Sequence, residues 1–139
     1  MSGPRVIVAL LKADAPFLAL VPVDGIHAGE IPQSATLPAV AYASVSTVQR
    51  PTVAGIEPAL LVDERMQITV AASSYPAKKA VLDAVRLACD RRRGLIAGVR
   101  VQNVRHAGVG PDLDNTEAAV FTQSFDFFIT YLQPQRTPP

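Results

Sequence analysis

Two histidines carry the most versatile chemistry in this 139-residue chain, because a neutral imidazole is the commonest metal ligand in proteins. His27 and His106 lie far apart in sequence, with the carboxylates of Glu30, Asp112 and Asp114 near one or the other. Such groups are the ligands of a zinc site. The spacing contains no HxH or HxxxH pair and no cysteine partner. The sequence therefore favours structural or solvated histidines and predicts no metal.

Three further groups have residue types found in catalytic or ligand-binding centres. Ser73 and Ser74 lack a surrounding GxSxG motif, and their place before an alanine-rich stretch is typical of helix caps. Segment 108–115, GVGPDLDN, matches neither a phosphate loop nor a calcium loop and is typical of a connecting turn. Cys89 lies beside a helical apolar stripe, where a thiol usually behaves as a small apolar residue. We expect no enzyme and no cofactor.

The charge balance disfavours nucleic-acid binding as the main task. Thirteen basic and twelve acidic residues give a formal charge of +1, whereas proteins that bind DNA through phosphates usually carry a basic excess. The tyrosines and phenylalanines are not interleaved with basic residues, so we expect most of them in the core. The N-terminal apolar run is interrupted by Lys12 and Asp14 and is too short for a membrane span. One cysteine allows no intramolecular disulfide. We expect a soluble, unsecreted protein.

Hydrophobic periodicity predicts one helix and two strands in the first half of the chain. Apolar residues recur at three- and four-residue spacings between positions 6 and 18, which predicts an amphipathic helix with Pro4 at its start and a break or kink at Pro16. Segment 39–47, AVAYASVST, is a predicted strand. Segment 64–72 alternates apolar and polar residues, so it is a strand with one buried face and one wet face.

A helix and two strands are predicted in the second half. Ser73 or Ser74 caps a helix that ends at Gly94, and the basic run 91–93 lies where the helix dipole favours positive charge. Segment 99–105 is a strand with a bulge, and segment 120–132 is the last and longest strand. The expected buried stripe of the helix consists of Ala77, Ala80, Val81, Ala84, Val85 and Ala88.

This order of helix, strand, strand, helix, strand, strand predicts an α+β fold. We expect a mostly antiparallel sheet of about four strands with two main helices packed on one face. The length corresponds to one domain, over residues 1–132, followed by a proline-rich tail at 133–139.

Four segments, taken in order, carry a resemblance to a known family. They are LLKADAPFLALV, GIHAGEIPQSATLPAVAYASVS, ERMQITVAASSYPAKKAVLDAVRLA and FTQSFDFFITY. Over about residues 5–132 the chain resembles the tail-completion, or tail-to-head joining, family of long-tailed bacteriophages and prophages, which includes tail terminator proteins. None of these segments is an enzyme signature.

The resemblance implies a structural virion protein that forms a ring, commonly a hexamer. Such a ring would sit on the head-proximal end of the tail tube, stop tube growth and join the tail to a head-side connector or stopper protein. Genomic DNA would pass through it without tight binding, and assembly would take place in the host cytoplasm. The alternatives are another small ring component of the head–tail junction and a small α+β enzyme or ligand-binding domain, which a deep pocket with convergent polar groups would favour.

Two proline-containing loops are expected to make the contacts of such a ring. The segment 29–38, GEIPQSATLP, is the first, because stiff loops lose little backbone entropy when they dock. The alternative is that it only wraps a sheet edge within one subunit. The segment 48–58, VQRPTVAGIEP, is the second. The expected interface residues are Ile31, Pro32, Gln33, Leu37, Arg50, Val53 and Ile56.

Acidic side chains are expected to face the lumen of the ring. A translocating duplex must slide, and several phosphate contacts from each subunit would slow it. Asp63, Glu64 and Asp126 are therefore the expected lumen residues, rather than the arginines of the 91–93 run.

Overall fold

Two helices, rather than one, begin the chain in the computed structural model, which describes residues 2–50 and 59–134. Helix α1 spans Gly3–Lys12 and helix α2 spans Ala15–Leu20. The Asp14 carboxylate accepts a hydrogen bond from the backbone N–H of Phe17 at 3.1 Å and caps α2, with Pro16 in its first turn. The expected break at Pro16 is confirmed, and it turns Phe17 into the core.

Helix α3, Tyr75–Cys89, begins as the sequence predicts. The Ser74 hydroxyl accepts a hydrogen bond from the backbone N–H of Ala77 at 3.3 Å, which confirms the predicted cap. The predicted buried stripe is confirmed at Val81, Ala84, Val85 and Ala88, whereas Ala80 is exposed. Lys78 and Leu82, which lie outside that stripe, are also buried, so the buried face is wider than expected.

The end of α3 corrects the predicted boundary at Gly94. Asp90 already has extended backbone angles, with φ −67° and ψ 139°, so the helix stops at Cys89. The basic run 91–93 consequently lies beyond the last turn. Arg92 alone reaches back, and its Nε donates to the Ala88 carbonyl at 3.0 Å.

Seven strands form one sheet in the order β1-β2-β3-β7-β5-β4, with β6 paired to the start of β7. The β1–β2 pair is parallel and all the other pairs are antiparallel. The strands are β1 Ile26–Ala28, β2 Ala39–Arg50, β3 Ala59–Ala72, β4 Gly94–Ile96, β5 Val99–Val109, β6 Leu113–Asn115 and β7 Val120–Pro134.

The expected α+β class is confirmed, but the expected four strands and the simple element order are wrong. Three of the additional elements, β1, β4 and β6, have three residues each, which is too short to show any periodicity. The predicted bulge in β5 is confirmed, since the register with β7 shifts between Val101 and Asn103. β7 runs to Pro134, two residues past the predicted end of the last strand at 132.

The helices cover one face of the sheet, and in the described ranges 2–50 and 59–134 no α-helix lies on the other face. The core contains Met66 and Ile68 of β3, Phe127 and Ile129 of β7, and the buried stripes of the helices. Alternate residues of β3 and β7 point to the opposite, helix-free face. Loops and strand ends at the margin of that face supply the candidate site.

Candidate functional site

The loop that follows β1 folds back over the helix-free face. Gly29 has a φ of 82°, in the left-handed region that glycine adopts without a steric cost. Its N–H donates to the Tyr42 carbonyl at 2.8 Å, and the Ala35 N–H donates to the Pro32 carbonyl at 3.0 Å. These bonds give the loop 29–38 a defined backbone before it enters β2.

A cleft of about 390 Å³ separates this loop from the sheet. The cleft lies where β2 begins, β3 ends and β7 begins. Most of the side chains on its floor are small, and they leave the room that a larger residue would fill. The floor consists of Ala41, Thr69, Ala71, Val120 and Thr122.

The chemistry of this cleft is that of a docking surface. Among the residues that line it, Glu30 is the single ionisable one, and its side chain is exposed. The hydroxyls of the floor have partners: Thr69 shares a hydrogen bond of 3.2 Å with Ser124, and Thr122 donates to the Leu113 carbonyl. The cleft therefore offers apolar contact beside one carboxylate.

The expected interface residues of the first loop meet in this cleft, while the others do not. Ile31, Pro32, Gln33 and Leu37 all line it. Arg50 lies at the far end of β2, where its Nε donates to the Asp63 carboxylate at 2.6 Å. Val53 and Ile56 lie outside the described residues. The contact role of this set stays a prediction.

Two of the expected lumen residues lie on the helix-free face, and both are paired with arginine. The Asp63 carboxylate lies 2.5 Å from the guanidinium of Arg50, and the Asp126 carboxylate lies 2.8 Å from that of Arg65. Each pair neutralises a carboxylate where it stands. The lumen role of Asp63 and Asp126 stays a prediction.

Glu64 requires a correction, because its side chain is 0% exposed and cannot face a lumen. The alternation of β3 places it on the helix face with Met66. Its carboxylate accepts hydrogen bonds from the Gly3 N–H at 3.0 Å, the Ser44 hydroxyl at 2.7 Å and the Tyr131 hydroxyl at 2.7 Å. Burial, with the neighbouring Glu64 carboxylate, raises the pKa of Tyr131 to about 12. Glu64 is an anchor for the first turn of α1.

Sequence reasoning missed a buried lysine network at the start of α3. Lys78 is 0% exposed, and its Nζ donates to Asp112 at 2.6 Å and to Asp114 at 2.8 Å. Burial disfavours its ammonium, but the two hydrogen bonds outweigh burial and raise the pKa of Lys78. Hydrogen bonds from Lys78 and then Lys79 lower the pKa of Asp112. The network ties the 110–119 connection to α3, and two aspartates in the 108–115 turn were its signal.

The two histidines and the cysteine, whose side chains could bind a metal or react, lie apart from one another. His27 lies in β1 at one margin of the sheet, and the ring of His106 in β5 lies 4.4 Å from that of Phe125. Three strands separate β1 from β5, so the two histidines do not meet. Cys89 is buried, and burial raises the pKa of its thiol.

Comparison with known families assigns the chain. The family model of the tail completion protein gp17 matches residues 5–131. This chain belongs to the tail completion protein gp17 family. The resemblance drawn from its sequence segments is confirmed, and the chain is a structural protein of a phage tail.

Known structures agree with the fold of this tail completion protein. A chain of a solved structure described as "Virion of native gene transfer agent (GTA) particle" superposes with a TM-score of 0.70 at 15% sequence identity. The match covers 91% of this chain and 92% of that chain. At this identity the likeness concerns the fold alone. No curated protein sequence matches the chain.

The longest helix of the described residues is α3, with 15 residues. In the described ranges 2–50 and 59–134, no helix combines the length and the apolar content that crossing a bilayer requires.

Proposed function

We propose that this protein forms a hexameric ring at the head-proximal end of the phage tail tube. There it stops growth of the tube and joins the tail to the head connector or stopper protein. Its partners are other copies of itself, the tail tube protein and the connector, and it is assembled in the host cytoplasm into the virion tail. The observation that carries the proposal is the tail completion family match over residues 5–131.

The two edges of the sheet support head-to-tail assembly, because they carry opposite charge. Residues 13–49, which include α2, β1 and all of β2 except Arg50, contain three acidic residues and neither lysine nor arginine. Residues 91–105, which include β4 and most of β5, contain five arginines and no acidic residue. Opposite charge attracts unlike edges of neighbouring copies, and such heterologous contacts close into a ring when the rotation closes.

The helix-free face between these edges is the proposed wall of the lumen. Asp63 and Asp126 are the proposed lumen residues, whereas Glu64 cannot face the lumen because it is buried. Since Arg50 and Arg65 pair with the two aspartates, this wall has little net charge along the strands that carry them. The paired charges along β3 and β7 leave few cations there to bind phosphates, so DNA passes without tight binding.

Tube growth in the presence of this protein tests the proposal. Purified tail tube protein of the same phage is allowed to polymerise, and tube lengths are measured by negative-stain electron microscopy. We expect the protein to stop elongation and to form a visible ring at one end of each tube. Continued elongation at saturating protein, with no density at either end, would contradict the terminating role.

A further inference from the structure

The β4–β5 hairpin presents an apolar side chain at the β4 edge of the sheet. Leu95 is 74% exposed, more than any other large hydrophobic residue of the described chain. Its cross-strand partner is Arg100, which is also exposed. Within residues 2–50 and 59–134, Arg100 has no carboxylate at ion-pair distance. The hairpin thus presents the exposed Leu95 side chain beside Arg100, which has no ion-pair partner among the described residues.

A tight turn between β4 and β5 fixes the position of Leu95. Ala97 and Gly98 join the two strands with φ angles of 51° and 80°, both in the left-handed region. Two successive left-handed residues are the signature of a type I′ hairpin turn, whose twist matches that of the strands. Leu95 is therefore held on a hairpin with a defined backbone, which reduces the entropy lost on docking.

The cleft beneath the loop 29–38 has the complementary features. It is an apolar recess, and its one ionisable residue, Glu30, has no cation at ion-pair distance among the described residues. The recess and the hairpin match in polarity, and Glu30 and Arg100 match in charge. Charge complementarity of the two sheet edges adds to this match.

One copy of the chain cannot bring its own hairpin to its own cleft. In the register of the sheet, Arg100 pairs with Leu132 at one end of β7, whereas the cleft residue Thr122 lies near the other end. This stretch of strand spans about 33 Å at ~3.3 Å per residue. The hairpin also lies at the β4 edge of the sheet, whereas the cleft floor lies on β2, β3 and the start of β7.

We propose that the β4–β5 hairpin of one copy docks into the cleft of a second copy. Leu95 enters the recess between the loop 29–38 and the sheet, and Arg100 lies beside Glu30 of the second copy. This inference rests on the proposed ring and names the two surfaces that build it. The tail tube protein as the occupant of the cleft is the competing outcome of the tests below.

Cross-linking of cysteine variants tests the contact directly. Cys89 is buried and does not compete for reagent. Leu95→Cys and Gln33→Cys variants are mixed and treated with a short bismaleimide. We expect heterodimers in the mixture and no homodimer of either variant alone. The inference is overturned if no heterodimer forms, either alone at high concentration or on tail tubes, or if Leu95→Cys mainly links to itself.

The double variant Gln33→Cys/Leu95→Cys separates this inference from the proposed ring. A ladder of linked species beyond the dimer supports both. Linkage that stops at the dimer keeps the docking and contradicts the ring. A ring that forms on tubes while the mixed single variants stay unlinked keeps the ring and overturns the docking, which would leave the cleft to the tube protein.

Substitutions that change the charge of the two surfaces provide an independent test. Leu95→Asp is expected to weaken self-association by at least about tenfold, because an unpaired carboxylate would enter an apolar recess beside Glu30. Leu87→Asp is the matched control, since Leu87 is 57% exposed on α3 and lies outside both surfaces. Glu30→Arg and Arg100→Glu are each expected to weaken association, and the double swap to restore it. Failure of the double swap to restore association would count against the Glu30–Arg100 contact.

Discussion

The Glu64 carboxylate is the buried charge that attaches α1 to the sheet. It accepts hydrogen bonds from Gly3, Ser44 and Tyr131, and a Cβ on Gly3 would lie 2.6 Å from its carboxyl carbon. We predict that Glu64→Gln lowers the free energy of unfolding by about 2 kcal/mol, because hydrogen bonds to a charged acceptor are lost and an amide NH₂ faces donors. Urea unfolding measures this, with exposed Glu30→Gln as the control. Equal stability of the two variants would contradict the anchoring role.

The Lys78 network makes stability depend on pH in the acid range. The pKa of Asp112 is lowered in the folded state, so its contribution is present above the unfolded value of about 3.9 and is lost as the pH falls through the folded pKa. We predict that Lys78→Met flattens the decline in unfolding free energy between about pH 5 and about pH 2. Exposed Lys12→Met is the control. An unchanged decline in Lys78→Met would show that the network contributes nothing.

Among the elements, the β4–β5 hairpin contains a non-glycine residue with a strained backbone conformation. Ala97 has a φ of 51°, a conformation that costs an L-residue about 1 to 2 kcal/mol. We predict that Ala97→Gly raises the free energy of unfolding by about 0.5 kcal/mol after the greater flexibility of unfolded glycine is subtracted. Gly98→Ala, at a φ of 80°, should lower it. Urea titrations of both variants test the pair, and a less stable Ala97→Gly would contradict the strain.

Long elements could be predicted from the sequence, and short ones could not. The helix break at Pro16 and the Ser74 cap follow from local chemistry, and the bulge in β5 follows from an interrupted alternation. The three-residue strands β1, β4 and β6 pair only because long neighbours are already in place. The sequence predicts too late an end for α3 because Asp90, which ends the helix, has no strong stop signal of its own.

The sequence predicts the loop of the candidate site but not the floor of the cleft beneath it. Prolines marked the loop 29–38, but its floor comes from small residues on three strands that only the register brings together. The alternation of β3 already placed Glu64 with Met66 on the buried face. That position was overlooked because an ionised carboxylate is rarely buried unless it is paired. Its partners come from α1, β2 and β7, which no local pattern links to β3.

For the whole molecule, the distribution of charge predicts how it treats DNA. The basic run 91–93 and Arg100 lie on one edge, while the aspartates of the helix-free face are paired with arginine. We predict no measurable affinity of the isolated protein for duplex DNA at physiological salt. Fluorescence anisotropy tests this. A submicromolar constant that weakens steeply with salt, and disappears when Arg91, Arg92 and Arg93 become glutamine, would overturn it.

The mass of the assembled protein tests the central claim most directly. If unlike edges of the chain bind each other and the rotation closes, native mass spectrometry of the protein, free or released intact from tail tubes, should give one closed species. We predict the mass of a hexamer of this 14.8 kDa chain, with association weakened by added salt because the edges carry opposite charge. A protein that remains a monomer or a dimer, in solution and on the tubes, would contradict the account.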